Sequence, residues 1–444
     1  MIEKVKVLIG RAAAHNGLRV YGANTIWLFT EKFFRMLLGF TVGIYVARQL
    51  GPAQYGLLNY AISFVGIFSL VMNLGLDSIV VRELVKTPDN RDKLLGSAFM
   101  LKLGGFGIML IGIIISIMIS GGDPHGNIIV AVIAAGYIFQ TFQVLDFYYQ
   151  AEVKSKYIAL SQIIALVIVS GFRFYFAWKL YPLVYFAALE SLFMLISFSL
   201  YAVFYTTCGH NIFAWKPDRP TTIALLKDSW PLFISGAAGM IYMRIDQVMI
   251  KQMLGDAEVG YYAVAVRLVE LWYFLPMIIC SSLFPSIIRA RNISEEHYHH
   301  RLQMLFSFMF WMAVAIALGA TFTGKYIITW LYGAEYINSI PVLVIYVWAT
   351  IFVFYGVAAG KWLVNEGLQR YSLYLSLLGC IFNVTLNIIF IRWFKLYGAA
   401  IATLISYSLA TYFGYFLFKK TRTLFTYFNN SFKYIKFIVK EMIL

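Results

Sequence analysis

The sequence predicts an all-α integral membrane protein of twelve transmembrane helices in two six-helix lobes. Three observations carry that expectation. The 444 residues are 61% hydrophobic and 13% charged, against roughly 25% charged in a soluble domain, so the chain cannot clothe itself in polar surface. Apolar runs recur from Asn24 to Phe418, each long enough to cross a ~30 Å hydrocarbon core as a helix. A turn, LGPAQYG at Leu50 to Gly56, returns as LGDAEVG at Leu254 to Gly260. Leu50, Gly51, Ala53 and Gly56 match Leu254, Gly255, Ala257 and Gly260 at one constant offset.

The elements follow in order. Backbone groups in lipid must be satisfied within their own segment, which selects helices; a barrel would show short alternating segments. The first six spans fall at about 24–47, 56–81, 94–119, 127–149, 157–178 and 183–206. The second six fall at about 229–251, 259–288, 302–323, 340–363, 371–391 and 397–418. The basic first twenty residues lack a cleavage site, so the first helix is expected to be a span.

Basic residues set the orientation. Twenty-three lie on the side of the N-terminus, including Lys4, Lys6, Arg11 and Arg19 before the first span and Lys419, Lys420, Arg422, Lys433, Lys436 and Lys440 after the last. Only Arg48, Lys179, Lys251, Lys325, Arg392 and Lys395 lie opposite. The positive-inside rule then puts both termini in the cytoplasm of a plasma (cell inner) membrane protein, and an even number of spans agrees. The net charge of +15 reads as topology and lipid attraction, with no nucleic-acid partner.

The loop from Thr206 to Thr222 divides the chain into lobes 1–208 and 228–419, joined by 209–227 and followed by a basic tail, 420–444. SKYIALSQIIALVIVSG in span five resembles QRYSLYLSLLGCIFNVT in span eleven. Six is even, so the halves enter the membrane in the same direction, as a parallel repeat, with a ligand site expected between them. Pro231 and Pro341 are expected at the starts of spans seven and ten, where proline is tolerated. Pro276 and Pro285 interrupt span eight, and Pro276 is a candidate hinge.

The informative residues are charges inside spans: Lys32, Arg35, Lys102, Arg173, Arg244, Arg267 and Lys361, against Glu31, Glu190, Asp246 and Glu270. Each ionised group costs ~2.5–3.5 kcal/mol at mid-bilayer, so they must pair or face water. Glu31 can pair with Arg35 along its helix, and Arg267 with Glu270. Lys102, Lys361 and Arg173 lie near helix ends and are expected to snorkel. On this count three cations remain after every acid is paired, which points to an anionic ligand. The expected ligand-binding residues are Lys32, Arg35, Arg244, Arg267 and Lys361, and the ion-coupling candidates are Glu31, Asp246 and Glu270.

Other leads fail. GATFTGK, Gly319 to Lys325, fits a phosphate-loop spacing, but Tyr326 replaces the required Ser or Thr and no strand precedes it. His297, His299 and His300 read as a solvated loop rather than a metal site. The three cysteines are too scattered for a disulfide or zinc framework. No linked nucleophile and base, and no cofactor motif, is present; the chain reads as no enzyme, with proton or sodium coupling left open.

NTIWLFTEKFFRMLLGFTVGIYVARQLGPAQYGLLNYAISFVGIF from Asn24 resembles the opening of the polysaccharide biosynthesis membrane proteins, the Wzx-type flippases of the multidrug/oligosaccharidyl-lipid/polysaccharide exporter superfamily. So do LGLDSIVVREL (Leu74 to Leu84), MRIDQVMIKQMLGDAEVGYYAVAVRLVE (Met243 to Glu270), LYGAEY (Leu331 to Tyr336) and NVTLNIIFIRWFKLYGAAIATLISY (Asn383 to Tyr407). The resemblance implies two lobes around a central cavity and transfer of an undecaprenyl-diphosphate-linked oligosaccharide between leaflets by alternating access. It also implies membrane lipids, a polysaccharide polymerase and a chain-length regulator as partners. The alternative is a multidrug or cation antiporter on the same scaffold, for which an acid-dominated cavity is expected.

Overall fold

The computed structural model describes the backbone of residues 2–120 and 123–432, and the side chains of 24–119 and 123–432. The basic residues Lys4, Lys6, Arg11, Arg19, Lys433, Lys436 and Lys440 lie outside the described side chains. Every regular element among the described residues is helical: α1 Ile2–Phe68, α2 Leu70–Asn73, α3 Leu76–Lys86, α4 Arg91–Ser120, α5 Pro124–Gly136, α6 Val144–Ala151, α7 Ser155–Trp178, α8 Leu183–Thr207 and α9 Arg219–Met253. Then follow α10 Asp256–Glu270, α11 Phe274–Ala290, α12 Glu295–Tyr332, α13 Ser339–Tyr346, α14 Thr350–Asn365, α15 Gln369–Ser408, α16 Gly414–Leu417 and α17 Arg422–Ser431.

Nine helical stretches among the described residues are long and apolar enough to cross a membrane. The protein is a multi-pass membrane protein. Apolar side chains point outward where a soluble protein would place polar ones; on α4, Ile108, Ile111, Ile115 and Ile119 form an exposed stripe at helical spacing. Two of the nine stretches contain a break. Within α1, Gly51 takes φ 69°, ψ 172°, and within α15, Lys395 takes φ 52°. Gly255, which opens α10, takes φ 118°, ψ −174°. The repeated turn therefore puts a glycine into the same glycine-only region of backbone space at both copies.

The chain divides into two compact units, one of residues 1–50 and 65–236, the other of 51–64 and 237–444. The first unit buries Leu76, Leu95, Val144, Tyr149, Tyr201 and Tyr205 around α3, α4, α6 and α8. The second buries Phe306, Met309, Phe354, Tyr355, Trp362 and Leu424 around α12, α14 and α17. The amphipathic α17 lies along α12, with Gln303 donating to the Tyr427 carbonyl at 3.0 Å and Trp311 to the Ser431 carbonyl at 2.9 Å.

In the second unit, segment 51–64 crosses α10 at facing glycines. A Cβ on Gly56 would stand 1.8 Å from the Asp256 carbonyl oxygen, and one on Gly260 would stand 2.1 Å from the Pro52 carbonyl oxygen. The contact is reciprocal: each turn's first helical residue meets the other turn's glycine. Lys251 also pairs with Asp256, and the Ser63 hydroxyl donates to Gln247 at 2.8 Å.

Proline positions need one correction. α9 begins at Arg219, well before the expected start of span seven, so Pro231 lies inside a helix rather than at its mouth. The polar run KPDRPTT carries no apolar signal, so hydropathy underestimates the length of this helix. Pro276 behaves as a helix breaker should. It cannot donate to the carbonyl four residues back, and the helix tightens to a 3-10 turn at Leu271–Tyr273 between α10 and α11. Similar turns interrupt two other stretches, at Tyr137–Gln143 and Val347–Ala349.

Candidate functional site

Each unit holds its own set of polar groups within apolar helices. In the first unit the centre is Arg35 on α1. Its Nε donates to Glu31 Oε1 at 2.7 Å, and a second guanidinium nitrogen lies 2.6 Å from the same oxygen. The fork reaches on to Gln162 Oε1 at 2.8 Å, and Gln162 in turn donates to the Tyr201 hydroxyl at 2.8 Å. The Phe193 ring lies 5.6 Å from the guanidinium carbon. Glu31 is buried at 8% exposure, whereas the Arg35 side chain keeps 48%. Lys32, one residue along, is exposed and makes no hydrogen bond or ion pair among the described residues. Helical geometry turns it away from Glu31.

Lys102 corrects an expectation. It does not snorkel: it is completely buried on α4, donating to Asn73 Oδ1 at 3.2 Å and Gln143 Oε1 at 3.0 Å. Position along a helix predicts depth but not which face meets a neighbour, and Lys102 falls on the packed face. Arg173 forms an ion pair with Glu190, each side chain about a quarter exposed. The intramembrane acids have two further members, Asp77 on α3 and Asp146 on α6. Both fall inside the spans read from the sequence, and both act electrostatically on Lys102. Counted against the seven bases named above they shrink the excess to one, and Lys251 at the very end of span seven is paired with Asp256 beyond it, so charge counting alone does not require an anionic ligand.

In the second unit Arg267 donates to the Tyr55 hydroxyl at 3.1 Å. Glu270 lies one turn further on, and Arg244 and Arg267 are the opposite charges that act on it. All three are half-buried. Lys361 is exposed near the end of α14.

Asp246 stands apart. It is 4% exposed, and its partners are neutral: Tyr262 donates to Oδ2 at 2.6 Å, Thr403 to Oδ2 at 2.8 Å and Asn387 to Oδ1 at 2.6 Å. Asn387 also donates to Asn383 Oδ1 at 3.2 Å. The oxygen of Asn387 and the amide nitrogen of Asn383 are buried without a partner. This is an oxygen-rich, sealed pocket around one carboxylate, the environment in which a small cation or a proton would relieve the charge. Asn383, Asn387 and Thr403 were missed from the sequence. The signal available was two asparagines four apart on an apolar helix, which share a face.

The cavity of about 400 Å³ in the first unit is lined by Glu83, Lys93, Asp218 and Asp228 among others. It contains none of the predicted site residues.

The fold and these groups define a class: a multi-pass helical membrane protein that keeps ionisable side chains inside its apolar helices. The family model described as polysaccharide biosynthesis protein matches residues 21–290, and the chain belongs to that family. It is 22% identical to the capsular polysaccharide biosynthesis protein CapF of Staphylococcus aureus, over 89% of this chain and 99% of that protein. It is 21% identical to the probable low-salt glycan biosynthesis flippase Agl15 of Haloferax volcanii, over 87% of this chain and 81% of that one. Among solved structures it is similar to the lipid II flippase MurJ in an inward closed conformation, with a TM-score of 0.70 at 16% identity, covering 92% of this chain and 90% of that one.

Proposed function

We propose that the protein is a flippase that carries an undecaprenyl-diphosphate-linked oligosaccharide from the cytoplasmic to the outer leaflet of the cell inner membrane, for surface polysaccharide biosynthesis. It works by alternating access of two six-helix lobes and catalyses no covalent chemistry. Family membership sets the class. The observation that carries the reading is the accessibility of Lys32 and Arg35 on a helix otherwise apolar enough to span a membrane. Facing lipid, Lys32, which makes no ion pair among the described residues, would cost ~2.5–3.5 kcal/mol; facing a watered cavity, it and the accessible Arg35 offer a diphosphate its counter-charge.

Twelve crossings follow if stretch Asn24–Lys86 is divided at Gly51, stretch Gln369–Leu417 is divided at Lys395, and α9, too polar to be counted by hydropathy, is added. Both termini then lie in the cytoplasm. Lys32, Arg35, Arg244, Arg267 and Lys361 are the groups assigned to the anionic headgroup, and Asp246, with Glu31 and Glu270 as the further candidates, is assigned the coupling to a proton or sodium ion.

The test is export of surface glycan in cells. Lys32→Ala with Arg35→Ala is expected to abolish it while the protein still reaches the membrane; normal export overturns the cation site. Exchanging Glu31 and Arg35 separates pairing from binding, because restored export would make the two residues a structural pair only. Asp77 and Asp146 favour a second reading, a multidrug or cation antiporter, since they bring the intramembrane acids almost level with the bases. A deletion strain sensitised to cationic drugs, with unaltered surface glycan, would favour it.

A further inference from the structure

The least expected group in the first unit is Lys102. An ammonium carries three N–H donors. Here two meet neutral amide oxygens, Asn73 Oδ1 from α2 and Gln143 Oε1 from the 3-10 turn before α6. The Phe147 ring of α6 lies 5.6 Å from Nζ. No carboxylate stands within ion-pair distance among the described residues. A permanently charged ammonium buried this completely would be expected to hold a carboxylate directly, because neutral acceptors offset only part of its lost hydration. Asp146 follows Gln143 by three residues and so lies one helical turn along from that acceptor; the charges of Asp146 and of Asp77 on α3 act on Lys102, and that of Glu31 on α1 acts on Asp146. Asp77 is exposed and Asp146 half-buried, so each gives on to accessible surface that Lys102 itself does not reach.

We propose that Lys102, with Asp146 and Asp77, forms a proton-exchange site in the first unit, separate from the Asp246 pocket. In the exchange step the Lys102 side chain swings off its two amide acceptors toward a carboxylate. The Nζ–H bond breaks, an O–H bond forms on Asp146 or Asp77, and the amine keeps the electron pair. Both charges disappear together, so the step leaves the net charge of the site unchanged. The carboxylic acid then gives its proton to water. The return runs the same steps backward. Asn73 and Gln143 act as the rest that holds the charged form in place between exchanges.

This goes beyond the flippase reading, and its test does not need the cargo. The full-length protein in detergent is acylated with acetic anhydride over about pH 6 to 11, and the extent at each lysine is read by mass spectrometry. Lys102 is expected to acylate along a titration curve. Asp146→Asn, and separately Asp77→Asn, should displace its midpoint by about one pH unit, a tenfold change in reactivity at fixed pH. The curve of the exposed Lys227 should stay in place. A Lys102 that stays unmodified at every pH while Lys227 reacts does not exchange with water, and overturns the proposal. So does a curve unmoved by both variants. In cells, Lys102→Arg keeps the charge but cannot give up its proton; under the flippase reading it should flatten the pH dependence of glycan export, and an unaltered pH profile counts against the site. Labelling that behaves as expected, in a protein whose deletion leaves surface glycan unchanged, would instead put the flippase reading at fault.

Discussion

The side-chain amide of Asn387 donates to the carboxylate of Asp246 across 2.6 Å, joining two residues 141 positions apart. Tyr262 and Thr403 complete the cage, so the carboxylate is held by dipoles from three other segments. Removing a single donor leaves a buried anionic lone pair unsatisfied, at about 1–3 kcal/mol. Asn387→Leu and Thr403→Val should each lower stability by that amount in thermal unfolding. Asp246→Asn should retain the fold and lose ion-dependent stabilisation; a sodium or proton response that survives it would remove Asp246 from the coupling role.

Gly56 and Gly66 lie on the same helix and should respond to alanine with opposite signs. At Gly56 the new carbon would collide with the Asp256 carbonyl, whereas at Gly66 it meets nothing within 4 Å. Overpacking of the first kind costs about 1–3 kcal/mol. In an open helical position the same change gains about 0.5–1 kcal/mol. Melting temperatures of the two variants, one below and one above the parent, are the expected outcome.

Arg173 and Glu190 are each about a quarter exposed. Neutralising one leaves its partner alone inside an apolar helix, so Arg173→Leu or Glu190→Leu should destabilise by about 2–3 kcal/mol. The double variant should recover most of the loss. A double-mutant cycle with no coupling would show that the pair contributes nothing.

His210 supplies a pH dependence outside the membrane. Arg91 lies 3.0 Å from its Nδ1 and Tyr148 Oη 2.7 Å from its Nε2. The arginine can only donate, so the ring proton sits on Nε2. Partial burial, then the charges of Arg91 and Lys154, hold the imidazole below its ordinary value of 6.5. The folded chain thus takes up this proton later than the unfolded one. The contribution is complete above about pH 6.5 and is lost as pH falls through the lowered folded value. Between about pH 8 and pH 5, His210→Gln should flatten the fall in melting temperature; an unchanged slope would assign it to other groups.

Much of the fold was legible in the sequence because lipid leaves few options: apolar length sets the spans, and the repeated glycines mark the turns. Pro276 announced its own distortion. What stayed hidden depends on facing. Hydropathy gives the depth of Lys102 but not the neighbour it meets, and the start of α9 at Arg219 lies in polar sequence with no apolar signal. Glu31 and Arg35 were readable as a pair because four residues make one helical turn. The cage around Asp246 was not, because Asn387 and Thr403 reach it across the fold and carry no charge.

The crossing at Gly56 and Gly260 has a consequence for how the duplicated turn can vary. Each copy is the surface against which the other is shaped. A bulkier residue in one must be answered by a shift in its twin's backbone, not by a neighbour free to change rotamer. The two motifs therefore read alike for a reason that acts in the folded molecule: neither can drift without unseating its counterpart.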